Sequence, residues 1–360
     1  MHMSLLYTLS LACGAINMDC SKENIIHIMT ATVLGLTNLA SGRMRSLNML
    51  RDLPAVADLI ELCFSSTLDA EGRSYIDQMR RNGRDSGFLN WAPRVIETVS
   101  LPLSGFVWED ERGRVVGNVS LIPFFRRGQK IFLIANVATH PDYRRKGIAR
   151  QLTSAALERA REKHAQAVWL HVRDDNPGAI QLYRELGFVE RSRRTNWQAS
   201  FGSVASDQSR SSILVMPRQG RDWPLQSEWL ARAYPSLLDW YQPENWGIFR
   251  PGIFNALYRL LIDVNTVQWS AYNNGKLQGV LACQRVAGRL DRLWMSLPAQ
   301  PEAEAVTMLL FHARRLLSQS HGMRMEYPAG TMDEAIRAAG FTSQRTLAWM
   351  EAPGEQLSHA

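Results

Sequence analysis

The chain has 360 residues, of which 46% are hydrophobic and 21% charged, and its formal net charge is +7. This is the composition of ordinary soluble globular protein, long enough for two domains with a sizeable core in each. The basic runs are short (Arg126-Arg127, Arg144-Arg145-Lys146, Arg193-Arg194), which argues against nucleic-acid binding and suits a small anionic ligand such as a nucleotide.

Residues 1–43 read as a flexible extension. Met3 to Ala15 is apolar but lacks the basic start of a secretory signal. His27, Thr30, Thr32, Thr37 and Asn38 interrupt Ile25 to Gly42, so neither stretch reads as a membrane span. Ser46 to Leu50 is expected as a short strand. Asp52-Leu53-Pro54 then reads as a helix start capped by Asp52, with Val56, Ile60 and Cys63 or Phe64 at helical spacing. A second helix is expected around Tyr75 to Arg81. Phe106 to Trp108 and Val115 to Ile122 are strand-forming runs on either side of the polar turn Asp110 to Gly113. Beyond the turn Arg126 to Gln129 come a strand at Ile131 to Ala138, a helix from Gly147 to Lys163 and a strand at Ala167 to Val172. The helix Pro177 to Leu186 stops at Gly187, and Phe188 to Trp197 is a further strand.

Residues 199–224 are rich in Ser, Gln, Arg and Gly and read as a linker. The order of elements then partly repeats. Helices are expected at Leu225 to Ala233 and Ile253 to Ile262, and a hairpin turns through Asn273-Asn274-Gly275 between Val267 to Tyr272 and Leu277 to Arg285. A strand at Arg292 to Leu297, a helix at Glu302 to Ser318, a strand at Met323 to Tyr327 and a helix at Met332 to Ala339 follow. Gly340-Phe341 echoes Gly187-Phe188, and Thr346 to Met350 echoes the strand after it. Two copies of one fold is the economical reading: an α/β (α+β) chain with a mixed, mostly antiparallel sheet and flanking helices in each copy, over 44–198 and 225–355.

Chemistry concentrates where the strand ending Asn136-Val137-Ala138-Thr139 runs through a basic loop into a helix. Successive main-chain N–H groups in such a loop converge on one point, and the helix N-terminus adds partial positive charge. Together they form a receptor for a pyrophosphate. Gly147 removes a side chain where phosphate must touch the backbone, and Ala149 keeps the next approach narrow. The spacing is neither that of a P-loop nor that of the dinucleotide fingerprint. A basic strand-to-helix turn without a ligand is the plainer alternative.

Arg144-x-x-Gly147-x-Ala149 resembles the acyl-CoA loop, Gln/Arg-x-x-Gly-x-Gly/Ala, of the GNAT N-acetyltransferase superfamily. The stretch Val172 to Phe188 resembles its second signature through Asn176, Ala179, Leu182-Tyr183 and Gly187-Phe188, and is nearest to ribosomal-protein N-terminal alanine acetyltransferases. The resemblance covers residues 44–198. It implies acetyl-CoA as cosubstrate, bound between parted strands, and an amine acceptor that attacks the thioester directly. The implied cofactor contacts are Val137, Ala138 and Thr139 along the pantetheine arm, and Arg144, Arg145, Lys146, Gly147, Ile148, Ala149 and Arg150 around the pyrophosphate. Asn176 would bond the arm or fix the helix after it. Tyr183 would protonate the departing thiolate; the alternative is a packed helix tyrosine. His171 stands where the resembled branch often has glutamate, and is either the general base or a structural histidine. His140 and Asp142 are expected to shape the turn with Pro141, and Asn136 to orient substrate or water.

In the second copy the loop position, Pro298 to Ala305, has neither glycine nor arginine and carries Glu302 and Glu304, while Ile336 takes the place of Tyr183. That copy is expected to be degenerate, completing an acceptor pocket or stabilising the first. Cys13, Cys20, Cys63 and Cys283 form no CxxC pair and no pattern with histidine, so neither a metal site nor a disulfide framework is expected, and the cytosol is the expected compartment. The function expected is acetyl transfer to a primary amine, with no nucleic-acid or membrane partner. The alternatives are an acyl-CoA-binding module without turnover and a protein N-terminal or lysine acetyltransferase.

Overall fold

The computed structural model describes residues 42–65, 68, 70–82, 104–126, 128–200, 211–241, 245–252, 254–255, 265–285, 290–317 and 322–354. The expected extension, most of the expected helix Ile253 to Ile262 and residues 201–210 of the expected linker lie outside them. By compactness the chain divides into residues 1–120 with 136–156, and residues 121–135 with 157–360.

In the first unit, β1 (Arg43–Ser46) pairs antiparallel with β2 (Gly105–Glu109), which pairs with the first half of β3 (Val115–Arg126). Helices α1 (Met49–Phe64) and α2 (Ala70–Asn82) bury one stripe each, Leu53, Val56, Ala57 and Ile60 meeting Ile76 and Met79 in a core shared with Val107 and Ala138. The expected strand at Ser46 to Leu50 ends at Ser46, and the cap of α1 is Asn48 rather than Asp52. The Asn48 side chain accepts from the Arg51 amide at 3.2 Å, while the Asp52 carboxylate accepts from the Asn48 amide at 2.8 Å. The two close the first turn reciprocally.

Asp52 also takes both Arg45 nitrogens, at 2.6 and 2.8 Å, and Arg45 reaches on to Glu109 at 2.7 Å. Burial pushes the Asp52 carboxyl up, but hydrogen bonds from Arg45, Asn48 and Arg51 outweigh it and hold it below its ordinary range. Glu109 is held low chiefly by the Arg45 guanidinium. Arg45→Ala leaves Asp52 and Glu109 to the more exposed Arg51 and Arg43 and is expected to cost roughly 1–3 kcal/mol, read as a lower urea midpoint. Because both folded-state pKa values are depressed, their stabilisation is present above the ordinary carboxylate range and is lost as pH falls through the lowered values. The variant should therefore lose less stability than the parent on acidification below about pH 5.

The second unit holds one sheet in the order β4–β5–β12–β6–β11–β10–β9–β8–β7. Its strands are β4 (Gln129–Thr139, as far as 135), β5 (Ala167–Arg173), β6 (Val189–Ala199), β7 (Leu214–Pro217), β8 (Asn265–Asn273), β9 (Lys276–Arg285), β10 (Asp291–Ser296), β11 (Met323–Pro328) and β12 (Thr342–Pro353). Only β4·β5 and β10·β11 are parallel pairs among these. The stretch expected as linker contains β7, which finds backbone partners along β8. Its Ser-, Gln- and Arg-rich surroundings marked the stretch as loop, yet Ile213 to Met216 is itself an apolar run of strand-forming residues.

The order is symmetric about the β12·β6 pair. On one side lie β5 and its parallel partner β4; on the other lie β11 and its parallel partner β10. At the centre the Thr195 and Thr346 hydroxyls meet at 2.9 Å. Helix α4 (Pro177–Glu185) precedes β6, and α7 (Asp333–Ala338) precedes β12, with the same exit. The amides of Gly187 and Phe188 return to Arg184 and Tyr183, and those of Gly340 and Phe341 return to Arg337 and Ile336. Gly187 (φ 88°) and Gly340 (φ 80°) supply the left-handed step that ends each helix. Helices α5 (Trp223–Ala233) and α6 (Ala303–Leu317) complete this unit. Leu309, Leu310 and Ala313 of α6 bury against Trp269, Leu281 and Met295. Among the described residues no helix is long and apolar enough to cross a membrane.

Candidate functional site

In the first unit β4 ends at Thr139, and a single 3-10 turn, Pro141–Tyr143, leads to the basic loop and to α3 (Ile148–Glu162, as far as 156). His140 caps that turn, its Nδ1 accepting from the Asp142 amide at 3.3 Å, so both residues shape the loop as expected. Arg144 donates through Nε to the Thr139 carbonyl at 3.3 Å, and Lys146 places its ammonium 4.9 Å from the Tyr143 ring centre. Arg145 (φ 62°) and Gly147 (φ 78°) are both left-handed. Two such residues so close together turn successive amides toward one side, which is how a backbone builds an anion nest.

Ile148 is buried and anchors the first turn of α3; Arg144, Arg145, Gly147 and Arg150 are exposed, and Ala149 is half-buried. Beside Gly147 a Cβ would meet only the Gln151 amide nitrogen, at 3.8 Å, so the space over the loop is open. Val137 and Ala138 lead into this loop, Val137 half-buried and Ala138 buried. The Thr139 hydroxyl is buried and has no partner among the described residues. Open backbone, clustered cations and an orphaned hydroxyl fit a polyanionic ligand with a hydrogen-bonding arm.

Asn136 is left-handed (φ 53°) inside β4, and its side chain donates to the Tyr75 hydroxyl at 3.0 Å and the Ser120 hydroxyl at 3.2 Å. The sequence offered Tyr75 only as a helix residue. Its hydroxyl was not legible as part of this cluster, because the pairing of α2 with β4 is a tertiary fact.

The remaining predicted residues lie in the second unit. The parallel ladder of β4 and β5 ends at Ile134 and Leu170, and His171 is the next residue along β5. Its side chain is exposed to solvent, with the rings of Trp349 and Tyr241 beside it. Desolvation by those neighbours, with Arg345 nearby, lowers its pKa from the ordinary histidine range. Tyr183 is buried in α4 with its ring edge-on to Phe188 at 6.1 Å, and burial pushes its phenol well up, so it stays protonated.

Asn176 caps α4, its side-chain oxygen accepting from the Ala179 amide at 3.1 Å, with Pro177 beginning the helix. Of the two roles expected for Asn176, fixing the helix is the one seen here. Asn176→Ala should cost about 1 kcal/mol in thermal or urea unfolding, with Asn176→Ser restoring most of it.

Residues 58–188 match the acetyltransferase (GNAT) family model. The matched segment contains both the left-handed basic loop and the helix carrying Tyr183. Over 62 residues the chain is 39% identical to ribosomal protein bS18-alanine N-acetyltransferase of Escherichia coli, covering 17% of this chain and 42% of that one. Over 88 residues it is 35% identical to spermidine N(1)-acetyltransferase of Vibrio cholerae, covering 24% and 49%. The chain thus spans less than half the length of either curated relative. A GCN5-related N-acetyltransferase from Sphaerobacter thermophilus superposes with a TM-score of 0.49 at 15% identity, over 88% of this chain and 98% of that one.

Proposed function

We propose that residues 44–198 form an acetyl-CoA-dependent N-acetyltransferase domain that transfers acetyl to a primary amine by direct attack. The observation that carries this reading is the loop after β4, with its left-handed Arg145 and Gly147, open backbone and orphaned Thr139 hydroxyl. In this reading the loop amides and Arg144 to Arg150 hold the diphosphate. Val137 and Ala138 bond the pantetheine arm, and one of their amides polarises the thioester carbonyl. Tyr183 hydrogen-bonds the leaving thiolate and His171 takes the proton from nitrogen.

We read residues 225–355, together with β7, as a second, degenerate copy of the same fold. The symmetric strand order and the matching exits of α4 and α7 support this. Glu302 and Glu304 at the loop position and Ile336 in place of Tyr183 leave that copy without the chemical parts. No metal enters the mechanism, and the free thiols of Cys63 and Cys283 suit a reducing cytosol. A binding module without turnover is the second reading, favoured by the burial of Tyr183 against Phe188.

Calorimetry with acetyl-CoA, followed by mass spectrometry of an amine panel incubated with it, tests both. Uptake with an acetylated product supports the enzyme, uptake alone supports the module, and no uptake overturns both.

A further inference from the structure

The left-handed backbone of Asn136 interrupts β4, and side chains from two other elements hold it there. A residue other than glycine adopts this conformation at a cost in free energy, and persists in it only where its surroundings fix it. The Asn136 side-chain nitrogen donates to Tyr75 on α2 and to Ser120 on β3, at 3.0 and 3.2 Å. Its carbonyl accepts from the Asn118 side-chain nitrogen at 2.8 Å. Asn118 and Ser120 stand two apart on β3 and so share a face, with the Asn118 nitrogen 3.4 Å from the Ser120 hydroxyl.

Asn118 is not placed for stability alone. It is fully buried, and its Oδ1 has no partner among the described residues. A buried acceptor left unpaired is destabilising, and a leucine of similar volume would remove it. What the asparagine supplies is the bond to the Asn136 carbonyl, and the consequence falls on the next residue. The peptide between Asn136 and Val137 is planar and trans, so its C=O and N–H point in opposite directions. Holding that carbonyl toward Asn118 on β3 therefore turns the Val137 N–H away from β3. The ladder of β4 with β5 has ended at Ile134, so this amide is not part of it.

We propose that Asn118 is a positioning residue for acetyl transfer: through the Asn136 carbonyl it aims the Val137 N–H at the thioester carbonyl oxygen. This rests on the acetyl-transfer reading above, which leaves the choice between the Val137 and Ala138 amides open. The amine nitrogen bonds the carbonyl carbon, and negative charge gathers on the oxygen that the amide holds. The C=O then reforms as the carbon–sulfur bond breaks and the thiolate leaves; the proton transfers are those given above. A donor already pinned needs no reorientation as the charge develops, which is the advantage of a fixed dipole over a mobile one. Tyr75 and Ser120, bonded to the side chain of the same residue, keep its backbone from relaxing into the strand.

The test needs no acceptor. The full chain is loaded with acetyl-CoA that carries heavy carbon at the thioester carbonyl, and isotope-edited infrared spectroscopy reads the carbonyl stretch of the bound molecule. In the parent the band is expected below that of free acetyl-CoA, because a hydrogen bond to the oxygen weakens the C=O bond. In Asn118→Leu the band should return most of the way to the free position. The Kd for coenzyme A, which has no acyl carbonyl, should stay unchanged in calorimetry. With an amine that the parent acetylates, kcat should fall at least about tenfold while the KM for acetyl-CoA holds. A residue that only packed would shift unfolding and leave the carbonyl band where it was. Asn118→Ser, smaller and too short to reach the Asn136 carbonyl, gives the same reading should the leucine variant fold poorly. A parent band at the free position, or a lowered band kept in a folded variant, overturns the inference while leaving acetyl transfer intact. Absence of acetyl-CoA uptake in calorimetry overturns the underlying reading instead.

Discussion

Gly147→Glu is expected to weaken acetyl-CoA binding at least about 100-fold, equivalent to ~2.7 kcal/mol, in calorimetry. Two effects act together. At φ 78° any side chain costs roughly 1–2 kcal/mol of backbone strain, which distorts the loop. In the proposed reading, a carboxylate placed over it also repels the diphosphate assigned to Arg144, Arg145 and Lys146. Gly147→Ala separates them: the space beside Gly147 is open, so alanine brings the strain without the charge. Alanine should weaken binding by much less than glutamate. Equal losses would make the loop a matter of backbone shape alone, and unchanged binding in both variants would remove the loop from the site.

Tyr183→Phe is expected to lower kcat by about 100-fold or more while leaving the KM for acetyl-CoA within a few-fold. In the proposed mechanism the lost hydroxyl matters only when sulfur carries charge, which is late in the reaction. Removing one oxygen from a ring packed edge-on against Phe188 keeps the helix and its core contact, so thermal unfolding should barely move. The raised phenol pKa carries a second expectation. Tyr183 stays protonated through the ordinary working range, so it contributes no falling limb to the pH profile of kcat below about pH 10. Full activity in the phenylalanine variant would leave Tyr183 as a core residue only.

The loop and the second signature were legible because local rules govern them. A glycine in a left-handed step, an asparagine one place before Pro177 and a basic run at a helix start act over a few residues, and the structure bears out each as geometry. The cap of α1 went to Asn48 because Asp52 is claimed by Arg45, a pairing set by β1 rather than by the helix. The aromatic set around His171 was invisible for a related reason. Trp349 is an ordinary core residue in composition, and the register of β12 on β5 sets it opposite His171, while Tyr241 reaches the same imidazole from the segment after α5. Strand alternation tells which residues share a face but not which distant strand will lie beside them.

The position of β12 constrains how the protein is made. Thr342 to Pro353 lie between β5 and β6, more than 140 residues earlier in the chain, so a nascent chain on the ribosome cannot close the middle of this sheet until those residues emerge. Until then two neighbouring strands expose unsatisfied backbone edges, the species most prone to mispairing with other chains. Slow refolding from denaturant, helped by chaperones that shield such edges, follows from that order of synthesis.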